Sequence, residues 1–391
     1  MNAEKFHMNW NYPTAMRVGP GRIADLPAAC RELNMHKPLL VTDPGLAELP
    51  LLKRAVELCR ASGLEVEVFS QVKGNPNGQN VADGVEVLRE GWHDGVIAFG
   101  GGSALDAGKA IALMAGQQRP IWDFEDIDDN YLRVDVDGMV PVVAVPTTAG
   151  TGSEVGRSSV ITDEEAQIKR IIFHPRMLPA IVILDPELTL ELPEKITAAT
   201  GMDALSHNLE AFCSPLFHPM AEGIALEGIR LVKEFLPRAV TDGADLDARQ
   251  QMLVASCMGA TAFQRGLGAM HALAHPLGAL FDAHHGLLNA ILMPYVLHAN
   301  RDGIEQPMGR LARYLDLPGA SFDAVLNWVL ALREQIGIPH TLAEIGIDTA
   351  QAEKVGAMAA VDPSAGTNPI SFDAAGYRDI FVRACEGRFA L

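Results

Sequence analysis

The chain has 391 residues, a formal charge of −18, 48% hydrophobic residues and 20% charged ones. Single cores stop growing near ~250–300 residues, so this length predicts two domains, and the composition is that of a soluble globular protein with ample core. The negative charge opposes the attraction that phosphate backbones and anionic lipid headgroups require, which argues against nucleic acid and membrane surfaces as partners.

In chain order, the N-terminal "MNAEKFHMNWNYP" has no apolar h-region, and the long apolar stretch 95–116 carries Asp106 and Lys109, so no span or leader is expected. From residue 38 short β-rich runs alternate with helical patterns. The runs are "PLLVTD" (38–43), "EVEVFS" (65–70), "DGVIAFGGG" (94–102), "VVAVPTT" (142–148) and "AIVILDP" (180–186). Between them lie amphipathic stretches such as "LLKRAVELCRASG" and "NVADGVEVLREGW". This alternation predicts a mostly parallel sheet covered on both faces, with ligands bound at the carboxyl ends of the strands.

Two polar glycine loops sit at such ends. "FGGGSALDAGK" follows an apolar run and opens a helix, so Gly100, Gly101 and Gly102 can bring backbone N–H groups and a helix N-terminus against an anion. Ser103 and Asp106 have the spacing of a capping box, which places the helix start there. "VPTTAGTGSEVG" (145–156) adds the hydroxyls of Thr147, Thr148, Thr151 and Ser153. Two such loops point to a dinucleotide. Asp43, closing the first run, can accept from an adenosine ribose and repel a 2′-phosphate, favouring NAD over NADP; an Asp before Pro-Gly is also a turn former. The acid precedes the glycines, unlike the usual GxGxxG order.

After "DPELTLELP" (185–193) the β runs stop and the rest reads as helix. The expected division is an α/β dinucleotide-binding domain over 1–190 and an all-helical metal-binding domain over 191–391. "GMDALSHNLEAF" puts Asp203 and His207 four residues apart, on one helix face. "HALAHPLGALFDAHHG" repeats that spacing at His271 and His275 and adds His284 and His285. An Asp with several His and no Cys suits Fe(II), Zn(II), Co(II) or Mn(II), and a centre with room for substrate leaves at least one of these histidines for another role. The five cysteines, Cys30, Cys59, Cys213, Cys257 and Cys385, form no CxxC and read as free thiols of a reducing, cytoplasmic compartment.

Taken together, "VTD", Asn75-Pro76, "GGGSALDAGK", "VPTTAGTGSEV", "LDPELT", "TAATGMDALSH", "GLGAMHALAHPLGA", "HHGLLNA" and "GTNP" (366–369) resemble the iron-containing, or group III, alcohol dehydrogenases along most of the chain. The resemblance implies a dehydroquinate synthase-like architecture, with an α/β nucleotide-binding domain of mostly parallel sheet and an all-α C-terminal domain. It implies Fe(II), with Zn(II) as the alternative, held by Asp203, His207, His271 and His285. His275 is similar to a non-ligand histidine near the nicotinamide and would relay a proton or position substrate. NAD contacts are implied at Asp43, Asn75, Gly101, Gly102, Ser103, Thr147, Thr148, Lys169 and Leu188, although "QIKR" also offers Arg170. The implied reaction is hydride transfer between a primary alcohol or its aldehyde and NAD in the interdomain cleft, by a homodimer or larger assembly.

The sequence departs from the family at His284, where Pro is usual. With Arg157, Phe263 and Arg265 of "GSEVGR" and "AFQRGLG", this resembles the branch related to 4-hydroxybutyrate dehydrogenases, a cation there being suited to a substrate carboxylate. The rival readings are an NAD- and metal-dependent lyase of the dehydroquinate synthase type and a non-enzymatic nucleotide-sensing module.

Overall fold

The computed structural model describes residues 14–389; the N-terminal stretch without an h-region, 1–13, and residues 390 and 391 lie outside it. The described residues divide into two units, one of residues 14–148 and 152–191, the other of residues 149–151 and 192–389.

The first unit runs β1 (Ala15–Val18), α1 (Leu26–Glu32), β2 (Pro38–Val41), α2 (Pro44–Ala47), α3 (Pro50–Ala61), β3 (Glu67–Phe69), α4 (Gly78–Glu90), β4 (Gly95–Gly100), α5 (Gly102–Met114), β5 (Val142–Pro146), β6 (Ser158–Asp163), β7 (Ile168–Phe173) and β8 (Ile181–Leu184). Six strands form one sheet in the order β1-β8-β5-β4-β2-β3, every pairing parallel. Strands β2, β4, β5 and β8 are buried at every residue, as expected of runs covered on both faces.

The five apolar runs of the sequence are β2, β3, β4, β5 and β8. The edge strand β1 and the antiparallel hairpin β6–β7 are additions to them. In β6 only alternate residues are buried and β7 is mostly half-buried, so the signal is weak, and the acidic "EEAQ" between them reads as loop. Asp106 ties this hairpin to α5: its carboxylate accepts from Val160 N at 3.0 Å and from Ser153 Oγ at 2.5 Å, and its carbonyl accepts from Ser159 Oγ at 2.8 Å. Buried Lys109, one turn on, pairs with Asp106 at 3.2 Å and donates to Ser158 O.

That arrangement corrects the capping-box expectation. Helix α5 begins at Gly102 with Gly101 as N-cap and no side-chain cap. Ser103 Oγ donates instead to Gly74 O at 2.5 Å, and Asp106 serves the hairpin.

The second unit is helical: α6 (Glu194–Cys213), α7 (Pro219–Thr241), α8 (Leu246–Ala262), α9 (Ala269–Phe281), α10 (His285–Ala299), α11 (Arg301–Tyr314), α12 (Phe322–Gln335), α13 (Ala352–Ala360) and α14 (Ala374–Glu386), joined by turns and, around α13, by longer segments with 3-10 helices. Helix α6 is buried almost all round from Thr197 to Phe212, the pattern of a central helix with neighbours on every side. Small residues let those neighbours approach: a Cβ built at Gly228 of α7 would lie 2.0 Å from Asn208 Oδ1 of α6, and one at Gly259 of α8 would lie 2.9 Å from His207 Cβ. Among the described residues no helix is long and apolar enough to cross a membrane, and all five cysteines are free thiols.

Candidate active site

In the first unit the three neighbouring strands β5, β4 and β2 end side by side, and each delivers part of the glycine-loop constellation. Gly100 closes β4 with φ +143°, a backbone conformation that L side chains rarely adopt, and a Cβ there would meet Ala104 Cβ at 2.8 Å. The glycine lets the chain turn at once into α5, whose first-turn N–H groups have no intrahelical acceptors and so suit an anion. Thr147 N donates to Gly100 O at 3.0 Å, and Thr148 lies 3.4 Å from the position of a Cβ on Gly101.

Asp43 caps the short α2 through Oδ1, which accepts from Leu46 N at 3.0 Å, while its Oδ2 lies 3.7 Å from the position of a Cβ on Gly100. The turn-forming role is therefore real, and the second carboxylate oxygen still borders the glycine loop. Lys169 Nζ donates to Asn75 Oδ1 at 3.0 Å, next to the Gly74 carbonyl that takes the Ser103 hydroxyl. Arg170, the alternative to Lys169, is committed to Glu125 at 2.5 Å and Asp163 at 2.8 Å. Leu188 packs into the apolar core of this unit and is only 7% exposed.

In the second unit the ligating atoms of Asp203, His207 and His271 all lie within 4.8 Å of one another, and all three residues are buried. No other such group occurs among the described residues. His285 joins them through Nε2, 3.8 Å from Asp203 Oδ1. Helix α6 contributes the first pair at i, i+4, α9 places His271 in its first turn, and α10 opens with His285. The donors fit a divalent ion: one carboxylate and three imidazoles, with buried His207 Nδ1 finding no hydrogen-bond partner among the described residues. Burial pushes the His207 imidazole down to about 4, which keeps it a neutral electron-pair donor at neutral pH.

Two family models match the chain: Iron-containing alcohol dehydrogenase over residues 13–186 and Fe-containing alcohol dehydrogenase family, C-terminal, over residues 197–385. The chain belongs to the iron-containing alcohol dehydrogenase family. It is 39% identical to the 4-hydroxybutyrate dehydrogenase of Cupriavidus necator over 94% of this chain and 97% of that one. It is 36% identical to the 1,3-propanediol dehydrogenase of Citrobacter freundii over 95% and 97%. The crystal structure of a 1,3-propanediol oxidoreductase superposes with a TM-score of 0.91 at 34% identity, covering 97% of this chain and 100% of that one. Membership makes the protein an NAD-dependent alcohol dehydrogenase and decides between the dehydrogenase and lyase readings.

Around this alcohol dehydrogenase's donor cluster stand residues to which the sequence motifs assign no role of their own. Glu210 lies on the same face of α6 as Asp203 and His207, at i+7 and i+3. Its carboxylate accepts from Gly268 N at 2.9 Å and Met270 N at 2.7 Å, satisfying the start of α9, and from His271 Nδ1 at 2.6 Å. A carboxylate only accepts, so Nδ1 carries the proton and Nε2 is left for an ion. Burial opposes charge on His271, but Glu210 outweighs it and raises the imidazole above its ordinary range. Asn368, from "GTNP", completes the cap by accepting from Ala269 N at 3.0 Å. Asn289, one turn after His285, places Nδ2 2.9 Å from Asp203 Oδ1, 3.2 Å from His271 Nε2 and 3.1 Å from His285 Nε2.

His275 lies beside the cluster, outside the donor group. Its ring stacks on His285 at 5.5 Å and 13°, and its Nδ1 meets Asp362 Oδ2 at 2.8 Å. His284 acts locally as the N-cap of α10, its Nδ1 accepting from Leu287 N at 3.3 Å. Phe263 packs its ring 5.3 Å from that of His207.

Arg265, expected as a substrate cation, is engaged by the protein itself. Its Nη1 donates to Ala211 O at 3.1 Å and Phe212 O at 2.9 Å, the last carbonyls of α6, its Nε to Leu216 O at 2.7 Å, and its Nη2 pairs with Glu222 at 3.0 Å. A guanidinium so engaged closes a helix and has little left for a carboxylate. Arg157, in the other unit, lies over the Phe173 ring at 5.6 Å.

Proposed function

We propose that Asp203, His207, His271 and His285 hold one ion, Fe(II) with Zn(II) as its competitor, and that Asp43, Asn75, Gly101, Gly102, Ser103, Thr147, Thr148, Lys169 and Leu188 receive NAD. The buried cluster of carboxylate and imidazole donors within 4.8 Å carries this reading. When bound, the ion supplies Lewis acidity that lowers the pKa of a substrate hydroxyl, and NAD supplies the hydride acceptor. Glu210 holds His271 in the tautomer that presents Nε2, Phe263 forms an apolar wall beside His207, and His275 takes the hydroxyl proton.

The substrate is a primary alcohol or the corresponding aldehyde. A second reading, 4-hydroxybutyrate, is favoured by the 39% identity to the Cupriavidus necator enzyme, with Arg157 as the cation for its carboxylate. We also propose a cytoplasmic homo-oligomer, a reading supported by the family resemblance and the free thiols.

The test is NADH formation by anaerobically prepared, Fe(II)-loaded enzyme on 1-butanol, 1,3-propanediol and 4-hydroxybutyrate. Faster turnover of the neutral alcohols supports the first reading. Preference for the hydroxyacid supports the second, and Arg157→Ala should then raise KM for 4-hydroxybutyrate while leaving 1-butanol unchanged. No NADH from any of the three would sink both.

A further inference from the structure

Helix α9 carries two histidine–carboxylate pairs one turn apart, His271 with Glu210 and His275 with Asp362, and the proposed function uses only the first. We infer that Asp362 is a positioning residue for the reaction: it fixes the His275 ring with the proton on Nδ1, so that Nε2 is the nitrogen that takes the alcohol's proton. The inference rests on the proposed role of His275 and adds the group that makes the role workable.

The geometry carries it in three steps. First, Asp362 Oδ2 lies 2.8 Å from His275 Nδ1, and because a carboxylate offers no hydrogen, Nδ1 must be the donor. The neutral ring then has its lone pair on Nε2, the state that a proton acceptor needs. Second, Asp362 cannot swing away. It is the N-cap of the short turn Pro363–Thr367, with Oδ1 accepting from Ser364 N at 2.8 Å and its own N–H donating to Ala359 O at 3.2 Å. The two side chains are 12% and 11% exposed, so water competes weakly for the bond. Third, the ring plane is fixed as well, stacked on His285 at 5.5 Å and meeting His271 edge-on at 6.0 Å. An imidazole held in plane and tautomer by a partly buried carboxylate is the arrangement by which a general base is oriented.

The balance is that of alcohol oxidation. RCH2OH gives up one carbinol hydrogen with its electron pair to NAD+, forming NADH, and one hydroxyl proton. The proton goes to His275 Nε2, forming an imidazolium whose charge Asp362 offsets, and leaves to solvent. RCH2OH + NAD+ yields RCHO + NADH + H+, with no further oxidant.

The rival is a tie in which Asp362 only fastens the 363–367 turn to α9. Full-length, Fe(II)-loaded Asp362→Asn, Asp362→Glu and His275→Asn separate the two, with kcat, KM, the solvent deuterium isotope effect on kcat, iron content and NAD affinity as readouts. Asparagine can turn its amide N–H toward the ring and favour the other tautomer while keeping the volume. Asp362→Asn is expected to keep iron and NAD affinity, lose on the order of 100-fold in kcat with little change in KM, and show a larger isotope effect. Asp362→Glu should recover part of kcat, and Asp362→Asn should cost nothing more when added to His275→Asn.

Wild-type kcat and isotope effect in Asp362→Asn, with His275→Asn impaired, would overturn the pairing alone. Loss of iron or of folding in Asp362→Asn without recovery in Asp362→Glu would assign Asp362 to the tie and overturn it too. Wild-type kcat in His275→Asn would remove the proton-acceptor reading itself, and the pairing with it.

Discussion

His271 joins helix α9 to a buried carboxylate through one nitrogen and to the donor cluster through the other. His271→Ala should abolish metal retention and leave NAD affinity intact, checked by iron content per chain and by nucleotide fluorescence titration; normal iron in the variant would remove it from the ligand set. Glu210→Gln keeps the shape but weakens the hold on the Nδ1–H, and should lower metal affinity roughly 10–100-fold. Chelator competition measures that loss, and an unchanged affinity would reduce Glu210 to a helix cap. Asp43→Gly should raise activity with NADP relative to NAD, since it removes a negative charge beside the Gly100 loop. An unchanged ratio would leave Asp43 as the cap of α2.

At the scale of the element, α9 has Gly268 as its N-cap, which supplies no side chain, and so depends on groups distant in sequence: Glu210 of α6 and Asn368, the latter also exchanging amide hydrogen bonds with Asn300 at 2.7 and 3.0 Å. Asn368→Ala leaves a buried Ala269 N–H without its acceptor and should cost about 1–3 kcal/mol of stability. Urea unfolding measures it, and a change under ~0.5 kcal/mol, as surface substitutions typically give, would show that the cap is dispensable. The same dependence limits what the sequence reveals. Asp203 and His207 are visible because their i, i+4 spacing is local, and Glu210 could have been found on the same helix face. The role of Asp362, and that of Asn368 within "GTNP", could not, because each acts on α9 from 87 or more residues away. The β6–β7 hairpin escapes sequence reading for another reason, its half-buried strands being joined by an acidic turn.

Across the whole molecule, the two halves of the chemistry are written in different kinds of sequence signal. Short apolar runs reveal the strands β2, β4, β5 and β8 because fully buried parallel strands leave little choice of residue. The helical unit is organised around α6, whose burial on nearly every side erases the usual amphipathic period, so its neighbours are not legible. An ion held as proposed would join residues from α6, α9 and α10, and should therefore stabilise that unit as a ligand does: at about 100 times its Kd it would add about 2.7 kcal/mol. Calorimetry with and without chelator should show a lower Tm for the stripped protein, and coincident traces would mean that the cluster holds no ion in solution.

The most direct test is to reconstitute stripped protein anaerobically with less than one equivalent of Fe(II) per chain, in graded steps, and to measure NADH formation from a primary alcohol at each loading. The rate should rise in proportion to bound iron and level off at one ion per chain, with Asp203→Ala and His285→Ala staying near zero throughout. A rate independent of iron, or full activity in either variant, would contradict the assignment of the catalytic centre to Asp203, His207, His271 and His285.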